Sequence, residues 1–228
     1  VTFTHIGLDP IEMNAVEVDG KRFYLTPEGN KYPSITTVIS NNPKKQAALA
    51  RWRARVGAEQ AQRKSITSST RGTRYHKITE DYLNNILDLN NYKDKPLPLY
   101  MFKQSQGTLD RINNIYLQEA ALYSDKLEIA GRVDCIAEFD GVLSIIDFKT
   151  SDKIKKEEYL YDYYVQECAY ALCLKERYDI QVKQLVTIVA IEGDQPQVSV
   201  QPVRKEYLNS LLEYIQAYRN KYDKKSGG

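Results

Sequence analysis

Asp134, Asp147 and Lys149 are the residues whose types and spacing most directly suggest chemistry. Asp147 and Lys149 stand two apart, which on a strand places both on one face, and Asp147 follows the apolar run LSII. A carboxylate in such a run is costly to desolvate unless it is paired, hydrogen-bonded or bound to a cation. Brought together on adjacent strands, the two aspartates would offer Mg2+ or Mn2+ a hard oxygen site with room for waters and a phosphate oxygen. An ion held there would activate a water against phosphorus, while Lys149 oriented that water or steadied the developing charge. Spacing alone fits an ordinary Asp–Lys pair at a sheet end equally well.

Two strands joined at Asp140-Gly141, a dipeptide suited to a hairpin turn, must position these residues: LEIAGRVDCIAEF and VLSIIDFKTS. EEYLYDYYVQECAYALCLKERY follows as a helix with Tyr163, Gln166 and Tyr170 on one side, then two strands, VKQLVTIVAIEG and QPQVSVQPV, and a closing amphipathic helix. A further strand around 119–124 would complete a mixed sheet flanked by helices, an α/β fold. Upstream, SITTVISNNPKKQAALARWRARVG reads as one helix that Gly57 stops or interrupts. SSTRGTRYHKITEDYLNNIL reads as another, carrying His76, with Ser68, Ser69 and Thr73 near its start as caps or phosphate donors. The pattern divides the chain into an amino-terminal hairpin or small sheet at 1–33, a helical region at 34–118, the core at 119–222 and a flexible tail at 223–228.

Composition bounds the function without choosing it. The 228 residues are 42% hydrophobic and 27% charged, which excludes a mostly disordered, collagen-like or coiled-coil chain. A net charge of +2 requires any surface for a polyanion to be local. Such a surface is spelled by Arg51, Trp52, Arg53 and Arg55, followed by Arg63, Lys64, Arg71 and Arg74; Trp52 either stacks on a base or packs beneath a helix. Three scattered cysteines supply neither a disulfide framework nor a four-cysteine cluster. No apolar run is long enough to span a membrane. Eighteen tyrosines against five phenylalanines and one tryptophan are the compositional surplus.

GRVD at 131–134, DFKTS at 147–151 and QECAY at 166–170, with GTRYH at 72–76 upstream, resemble in order and type the RecB-like branch of the PD-(D/E)XK (restriction-endonuclease-like) nucleases. The similarity to one member extends over 33–218. It implies that Asp134, Asp147, His76 and the Phe148 backbone carbonyl hold one or two Mg2+ ions, that Lys149 is catalytic with them, and that Glu80 and Glu119 support the site. Gln166 and Tyr170 would meet the substrate, and Thr150 and Ser151 join Arg51, Trp52, Arg53, Arg55, Arg71 and Arg74 as DNA contacts. The activity implied is a metal-dependent deoxyribonuclease acting as a monomer on single-stranded DNA ends, which thread beneath a helical arch, in replication, repair or recombination. A structure-selective or double-strand nuclease of the same fold, and a non-catalytic DNA-binding subunit, are the alternatives. Without a leader sequence the expected setting is the cytoplasm of a bacterial or phage-infected cell, with the mitochondrion as the alternative.

Overall fold

The structure, a computed structural model, describes residues 1–223; the expected tail lies beyond them but for Asp223, which ends the last helix. Three short strands open the chain, β1 (Asn14–Val18), β2 (Lys21–Leu25) and β3 (Lys31–Pro33), as an antiparallel sheet. The β1–β2 turn is Asp19-Gly20, with φ of 51° and 70°, the doubly positive pair that a tight two-residue hairpin requires.

The helical region differs from its sequence reading in three places. The first predicted helix is two, α1 (Ile35–Ser40) and α2 (Pro43–Val56). Pro43 has no N–H to donate and pushes Asn42 out of helical geometry, so the chain restarts there, with the Asn42 side chain accepting from Lys44 N at 3.0 Å. Gly57, at φ 85°, then turns the chain into α3 (Ala58–Leu83), roughly 39 Å long at 1.5 Å per residue. Ser68, Ser69 and Thr73 therefore lie inside α3 and cap nothing. Finally, α4 (Pro96–Leu109) ends early, and β4 (Ile112–Ser124) occupies a stretch expected to stay helical through residue 118. Asn114 has φ 46° and the register with the next strand slips between Asn113 and Leu117, so the apolar residues lose their alternation and imitate a helical period.

The main sheet has the order β4-β5-β6-β7-β8, with β5 (Ile129–Phe139), β6 (Val142–Ser151), β7 (Gln184–Ile191) and β8 (Gln197–Pro202). Only β6 and β7 run parallel, and the crossover between them is α5 (Glu157–Tyr178), the helix expected over the same residues. Asp140 and Gly141, at φ 51° and 77°, make the β5–β6 turn. Helices α1, α5 and the closing α6 (Lys205–Asp223) bury one face through Ile35, Val165, Leu174 and Leu211. The carboxyl-terminal half of α3 and α4 bury the other through Tyr75, Ile78, Met101 and Phe102. This is a mixed sheet between helical layers, as the motif order implied. The amino-terminal half of α3 stands apart from it: α2 has no buried residue, and from Ala58 to Thr70 only Ala61 is buried.

Candidate active site

The site forms where β5 and β6 part. Their paired register ends at Cys135 opposite Ile146, so the next backbone groups on β6 need other partners. Two side chains supply them. Asp134 Oδ2 accepts from Phe148 N at 2.8 Å, and His76 Nε2 bonds the Phe148 carbonyl at 2.7 Å from α3 across the gap. With Nε2 donating to that carbonyl, Nδ1 faces two acids, Asp134 Oδ1 and Glu119 Oε1, each at 3.7 Å.

Glu119 reaches this position by an irregularity. It lies between Gln118 and Ala120, which pair with Cys135 and Val133, and its own φ is 49°, a left-handed conformation that breaks the strand's alternation. Arg132 Nε holds Glu119 Oε2 at 3.0 Å, leaving Oε1 for the site. His76, Glu119 and Asp134 thus each offer a ligand atom, all within 4.8 Å of one another.

Asp147 and Lys149 stand on the α5 side of β6, where their side chains form an ion pair; Asp147 is 3% exposed and Lys149 23%. Gln166 Nε2 donates to Asp147 Oδ1 at 3.3 Å, and the Tyr170 hydroxyl donates to the Arg132 carbonyl at 2.9 Å. Tyr170 also explains the glycine of GRVD. A Cβ at Gly131 would lie 2.9 Å from the Tyr170 ring and 3.3 Å from Ile35. The two α5 motif residues are buried and position the strands around Asp134 and Asp147.

Electrostatics mark the trio as short of positive charge. Burial, then the neighbouring Asp147, pushes the Asp134 carboxyl well above its ordinary range. Burial pulls the His76 imidazole down, but the carboxylates of Asp134 and Glu119 outweigh it and raise His76 to about 9. Lys149 is likewise lowered by burial and raised further by Asp147 and Asp134, so it stays an ammonium. A divalent cation among these hard oxygen and imidazole donors would relieve the crowding, and the donor set fits one.

The remaining sequence candidates divide into engaged and free. The Glu80 carboxylate turns to Lys77 at 3.3 Å, outside the trio, while its carbonyl accepts from Gln118. Arg71 is 8% exposed and braces α3 to the sheet, donating to Thr150 Oγ1 at 3.1 Å and to Glu192 at 2.5 Å. Ser151 is buried and donates to the Lys153 carbonyl. Arg51, Arg53, Arg55 and Arg74 are exposed; Trp52 is half-buried, between a notch shared with Leu49 and Ala61 and a groove of about 630 Å³ that runs past Arg63, Lys64 and Arg71 to Lys153. Sequence reasoning missed Glu167. It is fully buried beneath Asp147, accepts from the Thr187 hydroxyl at 2.5 Å, and is pushed well above its ordinary range by burial and by Asp147. Nothing in the helical pattern distinguishes it from a surface glutamate.

Comparison with known proteins places the chain in a family. The chain is 30% identical over 176 residues to mitochondrial genome maintenance exonuclease 1 of Mus musculus, covering 73% of this chain and 52% of that protein. The figures for the Homo sapiens protein are 30%, 73% and 51%. The chain therefore spans about half the length of the curated relatives it matches. A crystallised protein from Eubacterium rectale aligns at 12% identity with a TM-score of 0.44, over 64% of this chain and 65% of its own. The sequence model of the PD-(D/E)XK nuclease superfamily matches residues 43–225, and the chain belongs to that superfamily.

Proposed function

We propose that this chain is an exonuclease that hydrolyses DNA from single-stranded ends with Mg2+, Mn2+ substituting. The observation that carries the reading is the convergence of His76, Glu119 and Asp134 beside the Asp147–Lys149 pair. His76 Nδ1, Glu119 Oε1 and Asp134 Oδ1 would hold the ion, with Asp147 at its edge. A divalent cation there supplies Lewis-acid polarisation of the attacking water and of the phosphoryl oxygen. In the step itself the water oxygen bonds to phosphorus in line with the leaving oxygen, the phosphorus–oxygen ester bond breaks, and the leaving oxygen takes up a proton while the water loses one. Lys149, kept cationic by Asp147 on the α5 side of β6, stabilises the negative charge that accumulates on the non-bridging oxygens. Gln166 and Tyr170 keep Asp147 and the β5 backbone in register for that step.

The exposed α2–α3 hairpin supports a preference for single strands. It carries Arg51, Arg53 and Arg55 on α2, which with the amino-terminal half of α3 has little anchorage of its own; Arg74 stands on the anchored half of α3, and Lys153, two residues past the β6 terminus, lines the groove. A flexible strand can be held there by phosphate contacts, with Trp52 at the groove wall. The names of the relatives point to DNA maintenance and, through the mitochondrion, to one compartment in which such an activity serves. Among the described residues no helix is long and apolar enough to cross a membrane. The deciding experiment is a time course with Mg2+ on end-labelled linear single strands, linear duplexes and a single-stranded circle. Loss of label from the linear strands with the circle intact is expected; cleavage of the circle, or no cleavage at any metal concentration, overturns the proposal.

A further inference from the structure

Packing does not use every tyrosine on α5. Tyr161 shares a hydrogen bond of 2.8 Å with Ser210 and stands edge-on to Tyr207, while Tyr164 is buried, with its hydroxyl bonded to Glu157 at 2.8 Å and Ser199 at 2.6 Å. Tyr159 is left out of the core, and Tyr163 packs only part of its ring against it. They stand one helical turn apart on one face. Tyr159 is 61% exposed, and Tyr163 is half-buried with a hydroxyl that has no hydrogen-bond partner among the described residues. Lys149 Nζ lies 5.0 Å from the centroid of the Tyr163 ring, so this ring borders the lysine that the reaction needs.

Both tyrosines line a cleft of about 940 Å³ that α5 forms with the start of α2 and with α6. Lys44, Lys45 and Lys155 stand around it. The Lys155 ammonium is depressed, first by burial and then, against the pull of Asp152, by Arg71, Lys45 and Lys153, so positive charge is crowded at this end of the cleft. Of the acidic lining, Asp162 pairs with Lys45 at 3.2 Å and accepts from Tyr214 at 2.9 Å, Glu157 accepts from Tyr164, Glu206 lies 3.9 Å from Arg204, and Glu158 is exposed beside Tyr159. The exposed Tyr159 ring and the open part of the Tyr163 ring, beside crowded ammonium groups, match the two parts of a single strand, its bases and its phosphates, and Tyr163 lies between the cleft and Lys149.

We infer that Tyr163 and Tyr159 form a stacking platform for successive bases next to the scissile phosphate, with Lys45 and Lys155 on the phosphates of the same strand. The inference rests on the nuclease reading above and names the subsite of that reaction. Stacking on an aromatic side chain is sequence-tolerant, because every base has a face, so the platform grips the strand without selecting its sequence.

The test uses Tyr163→Leu, Tyr163→Phe and Tyr159→Ser, assayed on linear single strands with Mg2+. Tyr163→Leu keeps bulk and loses the ring; KM rises about 5- to 100-fold, the range expected for one lost stack, while kcat stays within about twofold. Tyr163→Phe restores most of that loss. Tyr159→Ser, at a position too exposed to unfold the helix, raises KM in the same direction by a smaller factor. Direct readout comes from strands carrying one 2-aminopurine at successive positions from the end, bound to a non-cleaving Asp147→Asn protein: fluorescence is quenched at two adjacent positions and recovers in the Tyr163→Leu and Tyr159→Ser backgrounds. Unchanged KM and quenching in both variants overturn the inference, as does a fall in kcat alone, which would make Tyr163 only a shield for Lys149. If the unaltered protein leaves linear single strands intact, it is the nuclease reading that falls, and the two failures are separable.

Discussion

Gly131→Ala isolates the reason for the glycine in GRVD. The φ of Gly131 lies outside the left-handed region, so the demand is for space rather than conformation. The added Cβ would sit 2.9 Å from both Cε1 and the hydroxyl oxygen of Tyr170, where carbon contacts settle near 3.5–4.0 Å. The ring cannot simply swing aside: it is 3% exposed, and its hydroxyl is bonded to the Arg132 carbonyl at 2.9 Å. Overpacking of this kind costs about 1–3 kcal/mol. Losing the hydrogen bond adds about 1 kcal/mol. Reduced freedom of the unfolded chain returns about 0.5–1 kcal/mol. The net loss is about 2 kcal/mol, which lowers the melting temperature by roughly 4–8 °C for a chain of this size. Urea unfolding followed by circular dichroism measures it, provided the slope with denaturant is unchanged. The decisive measurement is the double-mutant cycle with Tyr170→Leu, whose smaller side chain leaves room for the Cβ. In that background Gly131→Ala should cost under about 0.5 kcal/mol, a coupling above about 1 kcal/mol. Equal costs in both backgrounds would refute the steric account.

Three further outcomes follow from the site. Glu119→Gln should weaken divalent-ion affinity at least about 100-fold by calorimetry, more than removal of an outer partner of a metal site costs, while Glu80→Gln changes it little; equal effects would remove Glu119 from the ligand set. Because His76 is raised to about 9 and Asp134 is raised by burial, ion binding must displace their protons. Affinity should therefore climb with pH from about 6 to about 9, by up to tenfold per pH unit for each proton released, and His76→Ala should flatten the upper part of the profile; a pH-independent affinity contradicts the assignment. Lys149→Met should lower turnover by about 10²–10³-fold with DNA affinity preserved, as expected for loss of a group that stabilises charge in the transition state; turnover near that of the unaltered protein would deny Lys149 the role.

The strands and helix around the chemistry were legible because their signals are local. Asp140-Gly141 supplies two positive φ angles in series, and Glu157 to Tyr178 carries no proline or glycine to interrupt a helix. Asp134, Asp147 and Lys149 could be brought together from that hairpin alone, the tyrosine surplus was visible as composition, and the basic cluster was visible only as local spacing. What the spacing could not carry was the departure from regularity. Glu119 joins His76 and Asp134 only because its backbone is left-handed within β4, and no propensity marks a glutamate for that. The same bulged strand disguised its own beginning as helix. Nor could spacing show the partners that hold the Asp147 carboxylate, Lys149 and Gln166. Gln166 and Tyr170, expected to meet substrate, are buried where they fix the strands. Such differences arise from tertiary contacts, His76 with Glu119, Gln166 with Asp147 and Tyr170 with Arg132, and a periodicity cannot contain them.

The parting of β5 and β6 couples folding to chemistry through one residue's backbone. Phe148 donates its N–H to Asp134 and offers its carbonyl to His76, so both main-chain groups that lose their ladder partners are satisfied by side chains of the candidate ligand set. Those bonds also aim the ligands: one Asp134 oxygen is occupied and the other faces His76, while the bonded Nε2 turns Nδ1 toward Glu119. No substitution of the Phe148 side chain other than proline, which lacks the N–H, can remove this device, because the interacting atoms belong to the backbone. Replacing Asp134 by alanine would do more than delete a ligand. It would leave the Phe148 N–H without its partner at a part-buried position, at a cost of about 1–3 kcal/mol. Asp134→Asn keeps an acceptor oxygen for that N–H while giving up the charge, so its stability should fall less than that of Asp134→Ala even though both lose the ion. Equal stability of the two variants would mean that the Asp134–Phe148 bond does not hold the strands apart, and that the opening is maintained by α3 and α5 alone.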